Sequence, residues 1–378
     1  MKSINGQKSW VMGNDTVELA VSQKGGQMAP VNFYAKTKKP VQPYYICPWA
    51  EEKKTYKPPV IDVLRGDFFC MPFGANNDYK KEHYEVHGEP AGSAWKSAKI
   101  TEDEDKTIFS VKMDTKVRPG TITKKIMLKS GHNVVYLEHL LEGFSGKMTL
   151  GHHPTLAAPD EEEGMLISTA PIQFGLTAPR DEGQNYTFGE EYYALAPNEK
   201  FKTLKKVPTV WKADPYTDCS VFPKREGFVD ILGVFAKPGK KPHWTAAVVP
   251  SLGYLWFSLK NPQELPTTVF WMSNKGRHAE PWSGRNKCIG LEDVCAYLAV
   301  GLVDSAKKNP LSEEGVPTVV NLSKKKAKAV RHVQGAVKVP KNFDRVKRVK
   351  FETGKLIFVS EAGKEVSADV DWDFITME

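Results

Sequence analysis

The chain has 378 residues, 40% hydrophobic and 26% charged, which excludes a disordered protein and supplies apolar surface for a large core. Its 53 lysines and arginines against 45 acidic residues leave a net charge of +8. That excess is scattered over polar positions, and the runs "SKKKAKAVRH" and "DRVKRVKFETGK" read as solvated surface rather than a nucleic-acid footprint.

The opening "MKSINGQKSWVMGNDTVELAV" has no apolar stretch of secretory length, and no run approaches the roughly 18 apolar residues of a membrane span. From there the dominant signal is alternation broken by turn residues. "DTVELAVSQKGGQMAPVNFYA" reads as strand, Gly-Gly turn, strand. "SAWKSAKITEDEDKTIFSVKMDTKV" and "GTITKKIMLKSGHNVVYLEHLLEG" continue a meander. Residues 160–228 are rich in Pro, Gly and acidic residues and read as long excursions from a sheet, where binding loops sit. "FVDILGVFAKP", "HWTAAVVPSLGYLWFSLK" and "TTVFWMSN" resume the strands, and "LEDVCAYLAVGLVDSAKKN" is the best helix candidate. Beyond residue 340 two or three further strands with an "EAGK" turn are expected. The expectation is an all-β protein, a large antiparallel β-sandwich over residues 1–340 with few short helices, and a β appendix over 341–378. Five dispersed cysteines form no CxxC pair, which points to reduced thiols and a cytoplasmic protein, and makes the sequons at Asn14, Asn185 and Asn321 incidental.

Three segments set polar residues against apolar backgrounds. Residues 63–95 hold Arg65, Asp67, His83, His87 and Glu89 among Gly, Pro and aromatic residues. "GHHPTLAAP" places His152 and His153 at a strand end before Pro154, and alternation turns one imidazole to each side of the sheet. In "CIGLEDVCAYLAV", Glu292 interrupts an apolar run, a costly position for a carboxylate unless it is paired, with Arg285 or Arg65 as possible partners. Trp95, Trp256, Trp271 and Trp282 read as core residues, of which one or two could line a groove and stack on a sugar face. Two or three His with one Glu could also form a metal set, but no HxH or HExxH spacing supports it, and no GxSxG elbow supports a serine hydrolase.

Together, "RGDFFCMPFG…HGEPAGSAW", "HHPTLAAP" and "GRNKCIGLEDV" stand in the order and rough spacing of the aldose 1-epimerase family, of the galactose mutarotase-like superfamily. The resemblance covers about residues 10–340 and implies a β-supersandwich with a monosaccharide site. By that resemblance His153 protonates the ring oxygen and Glu292 takes the anomeric hydroxyl proton. Arg65, His87, His152 and Trp282 are expected in the sugar-binding site, with His152 orienting His153 or packing behind it and Trp282 on the wall. No metal or cofactor is implied, the partner is a monosaccharide or sugar derivative without nucleic acid or membrane, and the assembly is a monomer or homodimer. The chain departs from the family where "HPYFNL" is "HHPTLAAP", "GLEP" is "GLED" and "GRxxNRI" is "LRGDFFCMPFG". Those departures keep two alternatives open: a non-catalytic carbohydrate-binding or regulatory protein on the same fold, and another sugar lyase or isomerase.

Overall fold

The computed structural model describes residues 1–75, 77–180, 189–237 and 239–377. Strands carry the fold, and the helices are single turns of four or five residues. Two large antiparallel sheets dominate. The first, of eight strands, runs Lys200–Phe201, Ile172–Thr177, Phe228–Ala236, Thr267–Asn274, Lys287–Cys295, Leu150–His152, Phe69–Cys70, with Thr155–Ala157 also paired to Lys287–Cys295. The second, of nine strands, runs Val221–Phe222, Met165–Thr169, His243–Val249, Tyr254–Lys260, Lys328–Lys338, Val134–Glu142, Gly120–Lys129, Lys106–Thr115, Lys96–Glu102.

The sheets pack face to face because both carry an apolar inner face. Leu150, Leu232, Phe270, Ile289 and Leu291 from the first meet Phe109, Ile126, Leu137, Trp256 and Val330 from the second in one buried cluster. Each such side chain contributes roughly 1.5–3 kcal/mol on burial. A second cluster, with Trp49, Phe68, Phe73, Val269 and Trp271, covers the outer face of the eight-stranded sheet. A third buries Trp244, Phe257 and Val333 of the nine-stranded sheet beneath Leu356 and Phe358. These last two belong to a three-stranded sheet of Val346–Glu352, Lys355–Ser360 and Glu365–Asp369. Its "EAGK" segment is the turn between the second and third of these strands.

The Gly25–Gly26 turn forms as read, both residues having positive φ, between Val17–Ser22 and Met28–Phe33. The helix candidate at 291–309 is a correction. Its first five residues are the end of strand Lys287–Cys295, and only Leu302–Ser305 is helical. A strand buried on both faces reads as a continuous apolar run and gives no period to separate it from a buried helix. Of the 160–228 excursions, residues 181–188, including the Asn185 sequon, lie outside the described residues; the rest carries only short strands after Thr177, at 200–201, 207–208, 216–217 and 221–222. All five cysteines are free and buried. Among the described residues no helix is long and apolar enough to cross a membrane.

Candidate functional site

Alternation along two neighbouring strands builds the site. Lys287–Cys295 pairs with Leu150–His152 so that Asp293 lies opposite His152. Asp293 and His152 face inward between the sheets, where His332 of the nine-stranded sheet meets both: its Nε2 is 2.8 Å from Asp293, and its ring stacks on His152 at 4.5 Å. Their chain neighbours Glu292 and His153 therefore point to the outer face. The same logic splits the preceding pair. Phe69 stacks on the buried His139 at 4.1 Å, whereas Phe68 stacks on His153 at 4.4 Å.

On the outer face His153 Nε2 lies 3.1 Å from Glu292 Oε1, and both side chains are almost fully buried. The two are in contact, yet Oε1 has no partner in hydrogen-bond geometry among the described residues. His153 Nδ1 is fixed from behind by the Thr155 hydroxyl at 3.1 Å. The Glu292 side chain reclines over Gly290, where a Cβ would stand 2.3 Å from Oε1. Burial pushes the Glu292 carboxyl well above the usual carboxylate range, against the pull of the Arg277 guanidinium. Burial also holds the His153 imidazole well below its usual range, and His87 adds to the effect. Burial thus drives both groups toward their neutral forms, a carboxylic acid and an uncharged imidazole.

His87 completes the cluster, its ring edge-on to His153 at 5.0 Å and packed against Phe68 and Phe73. It sits in the left-handed region at φ 61, a conformation that costs a non-glycine residue and that the following turn Gly88–Gly92 holds in place. Its Nδ1 accepts from the Gly74 amide at 3.3 Å, leaving Nε2 for a ligand. Burial, then Arg277, push its pKa down to about 3.

These residues border a cavity of about 340 Å³, the size of a small-ligand pocket. Trp271, Trp282, Arg277 and Glu191 form another part of its lining. The Arg277 guanidinium lies 4.9 Å from the Trp282 ring and 5.6 Å from that of Trp271, and its Nε is 2.8 Å from Glu191. The loop carrying Arg277 is pinned by a bridge to Glu191 and by the His278 amide donating to the Glu190 carbonyl. Among the described residues no three His, Cys, Asp or Glu side chains are gathered to hold a metal ion.

The structure therefore brings His87, His153, Glu292 and Trp282 to one cavity, although they come from distant parts of the chain. Two expected site residues are elsewhere. Arg65 is fully buried and spends its guanidinium on the Val63, Ile4 and Asn5 carbonyls, which makes it a clamp on the N-terminal strand rather than a sugar ligand. His152 faces the opposite side of the sheet and bonds Asp67 at 3.1 Å, so it packs behind the site and does not touch the cavity. Neither possible partner of Glu292 meets it: Arg285 pairs with Glu52 instead. His83 is exposed against Asp78, and Glu89 accepts from the Lys116 and Val117 amides. Trp95 and Trp256 are core residues with no exposure. Arg277, Glu191 and Gly290 were not legible beforehand: the first two pair across loops, and a strand glycine gives no sign of what lies over it.

No protein-family model matches the chain, and no curated protein matches it. Solved structures do. A candidate aldose 1-epimerase from Escherichia coli K12 superposes with a TM-score of 0.56 at 12% identity, over 88% of this chain and 99% of that one. A galactose mutarotase related enzyme from Lactobacillus acidophilus gives 0.53 at 10% identity, over 88% and 98%. A TPR-domain containing protein from Parabacteroides distasonis gives 0.56 at 11% identity, over 88% of this chain and 48% of the other. The fold is that of the galactose mutarotase-like β-sandwiches, in a sequence far diverged from these neighbours.

Proposed function

We propose that the protein is a carbohydrate-active enzyme, an aldose 1-epimerase that interconverts sugar anomers by acid–base catalysis at Glu292 and His153, without a cofactor, in the cytoplasm. The observation that carries this reading is the buried contact of His153 Nε2 and Glu292 Oε1, at 3.1 Å, on the border of the cavity. Mutarotation needs one proton delivered to the ring oxygen and one removed from the anomeric hydroxyl as the bond between C1 and the ring oxygen breaks. A pair holding one proton does both. With the proton on Glu292, the carboxyl protonates the ring oxygen while His153 takes the hydroxyl proton and C1 becomes a carbonyl. After rotation about C1–C2, the imidazolium returns its proton to the carbonyl oxygen, Glu292 recovers its own, and the ring closes on the other face. Each residue acts as acid in one half-reaction and base in the other but stays on its own oxygen. This scheme therefore reverses the assignment implied by the family resemblance, which puts His153 on the ring oxygen and Glu292 on the anomeric hydroxyl.

His87 Nε2 and Arg277 would hold the sugar, with Trp271 and Trp282 offering ring faces to its apolar side. The test is exchange between α and β anomers by NMR across a panel of aldoses, for wild type and Glu292→Gln. Wild type should accelerate exchange of at least one aldose. The amide keeps the shape and loses the proton, so the variant should lose about 10²–10⁴-fold in rate while still binding the sugar. Wild type that binds a sugar without accelerating exchange would instead identify a carbohydrate-binding module.

A further inference from the structure

Most of the cavity lining is hydrocarbon. The short turn Pro59–Asp62 and its flanks bring Val60, Ile61 and Leu64 to it, the sheet contributes Ile231 and Val269, and Val86 joins them from the loop before His87. The ionisable side chains in the described lining are His87, His153, Glu191, Arg277 and Glu292, and four of them already face one another as two pairs. A fully hydroxylated hexopyranose presents a hydroxyl at nearly every carbon. Any hydroxyl pressed against Val60, Leu64 or Val269, each almost fully buried, leaves water and finds no partner. A hydrogen or methyl group at the same place meets matching surface.

We infer that the sugar taken by this pocket is a deoxy or O-methylated aldopyranose, with its hydrocarbon edge against the aliphatic wall. This rests on the acid–base reading of Glu292 and His153 and adds the substrate class to it. The Arg277 guanidinium does not argue for a sugar phosphate, because Glu191 at 2.8 Å already neutralises it.

The experiment compares matched sugars by anomer-exchange NMR: D-fucose with D-galactose, D-quinovose with D-glucose, 3-O-methyl-D-glucose with D-glucose, and D-glucose 6-phosphate. One methyl-sized difference in an apolar pocket discriminates about 10- to 200-fold. At least one deoxy or O-methyl sugar should therefore exceed its hydroxylated parent tenfold or more in kcat/KM. Val60→Thr, which adds a hydroxyl at almost constant volume, should bring that ratio down towards one; Ile61→Thr, at a partly exposed position, reads the same if the first variant fails to fold. Equal or faster turnover of the parent hexoses or the 6-phosphate overturns the inference and leaves the acid–base reading standing. Absence of exchange with every sugar in the panel removes both.

Discussion

Gly290→Ala tests the site through one methyl group. Gly290 lies in the strand Lys287–Cys295, flanked by Trp271 and Thr155 in register, and is not among the positive-φ glycines, so alanine fits the backbone. Its Cβ would lie 2.3 Å from Glu292 Oε1, 3.1 Å from the carboxyl carbon and 3.2 Å from Cγ. Ordinary contact begins at 3.4 Å, so the carboxyl must retreat by about 1 Å. The side chain can do so cheaply, being the free end of a flexible group, and removing glycine flexibility from the unfolded chain offsets roughly 0.4–1 kcal/mol of whatever strain remains. Thermal stability should change little. Catalysis should not survive so well, since a displacement of about 1 Å from productive geometry costs on the order of 100-fold. The assay pairs anomer exchange, on the best wild-type substrate, with a thermal melt. A Gly290→Ala variant that exchanges anomers at the wild-type rate would show that the carboxyl position over Gly290 is irrelevant to the chemistry.

Three further outcomes follow from the geometry. Arg65→Met leaves three backbone carbonyls without their donor, at about 1–3 kcal/mol for each one left buried, so it should lower the unfolding free energy markedly while leaving kcat and KM of the folded enzyme unchanged; altered kinetics in soluble variant would return Arg65 to the site. Arg277→Met should raise KM far more than it lowers kcat, because Arg277 borders the cavity over two indoles but touches neither His153 nor Glu292; a selective fall in kcat contradicts this. Burial depresses the His152 pKa to about 4, against the pull of Asp67, so the unfolded chain binds its proton first and stability is lost as pH falls from about 6.5 towards 4, by about 1.4 kcal/mol per pH unit. Denaturant titrations of His152→Gln across that window should show a slope shallower by this amount, and equal slopes would contradict the neutral, buried state of His152.

How much of this was legible beforehand depended on local pattern. The meander from Lys96 to Glu142 and the pairs around Gly25–Gly26 follow from period-two alternation and turn residues, which need no tertiary information. Glu292 stood out because a carboxylate in an apolar run must have a reason. The helix expected at 291–309 failed where the same apolar run, buried on both faces, erased its period. Arg65 failed for a different cause: nothing local distinguishes a guanidinium that binds ligand from one that binds the carbonyls of Ile4 and Asn5, some sixty residues earlier. Arg277 and Glu191 come together only through the folding of two loops, so their pairing was out of reach of any sequence pattern.

The departures from the family motifs acquire a physical meaning once the two faces of the sheet are separated. Glu292 and Asp293 carry the same functional group one position apart, yet their proton affinities are driven in opposite directions. Asp293 stays charged, well below the usual range despite its burial, because Lys260 at 2.9 Å, His332 at 2.8 Å, Thr268 at 2.7 Å and Ser258 at 2.9 Å all converge on it between the sheets. Glu292 Oε1 has no hydrogen-bonded partner among the described residues, and burial drives its carboxyl the other way, well above the usual range. Asp293, where the motif this sequence resembles has proline, lies on the inner face and closes a polar cluster there. His152 is a second inward residue, joined to Asp67 and stacked on the same His332. In "HHPTLAAP" the residue that reaches the site from behind is Thr155, which fixes His153 Nδ1 with its hydroxyl. Inward changes of this kind bear on stability and strand register. The outward set of His87, His153 and Glu292, with Arg277 beside it, is what borders the cavity.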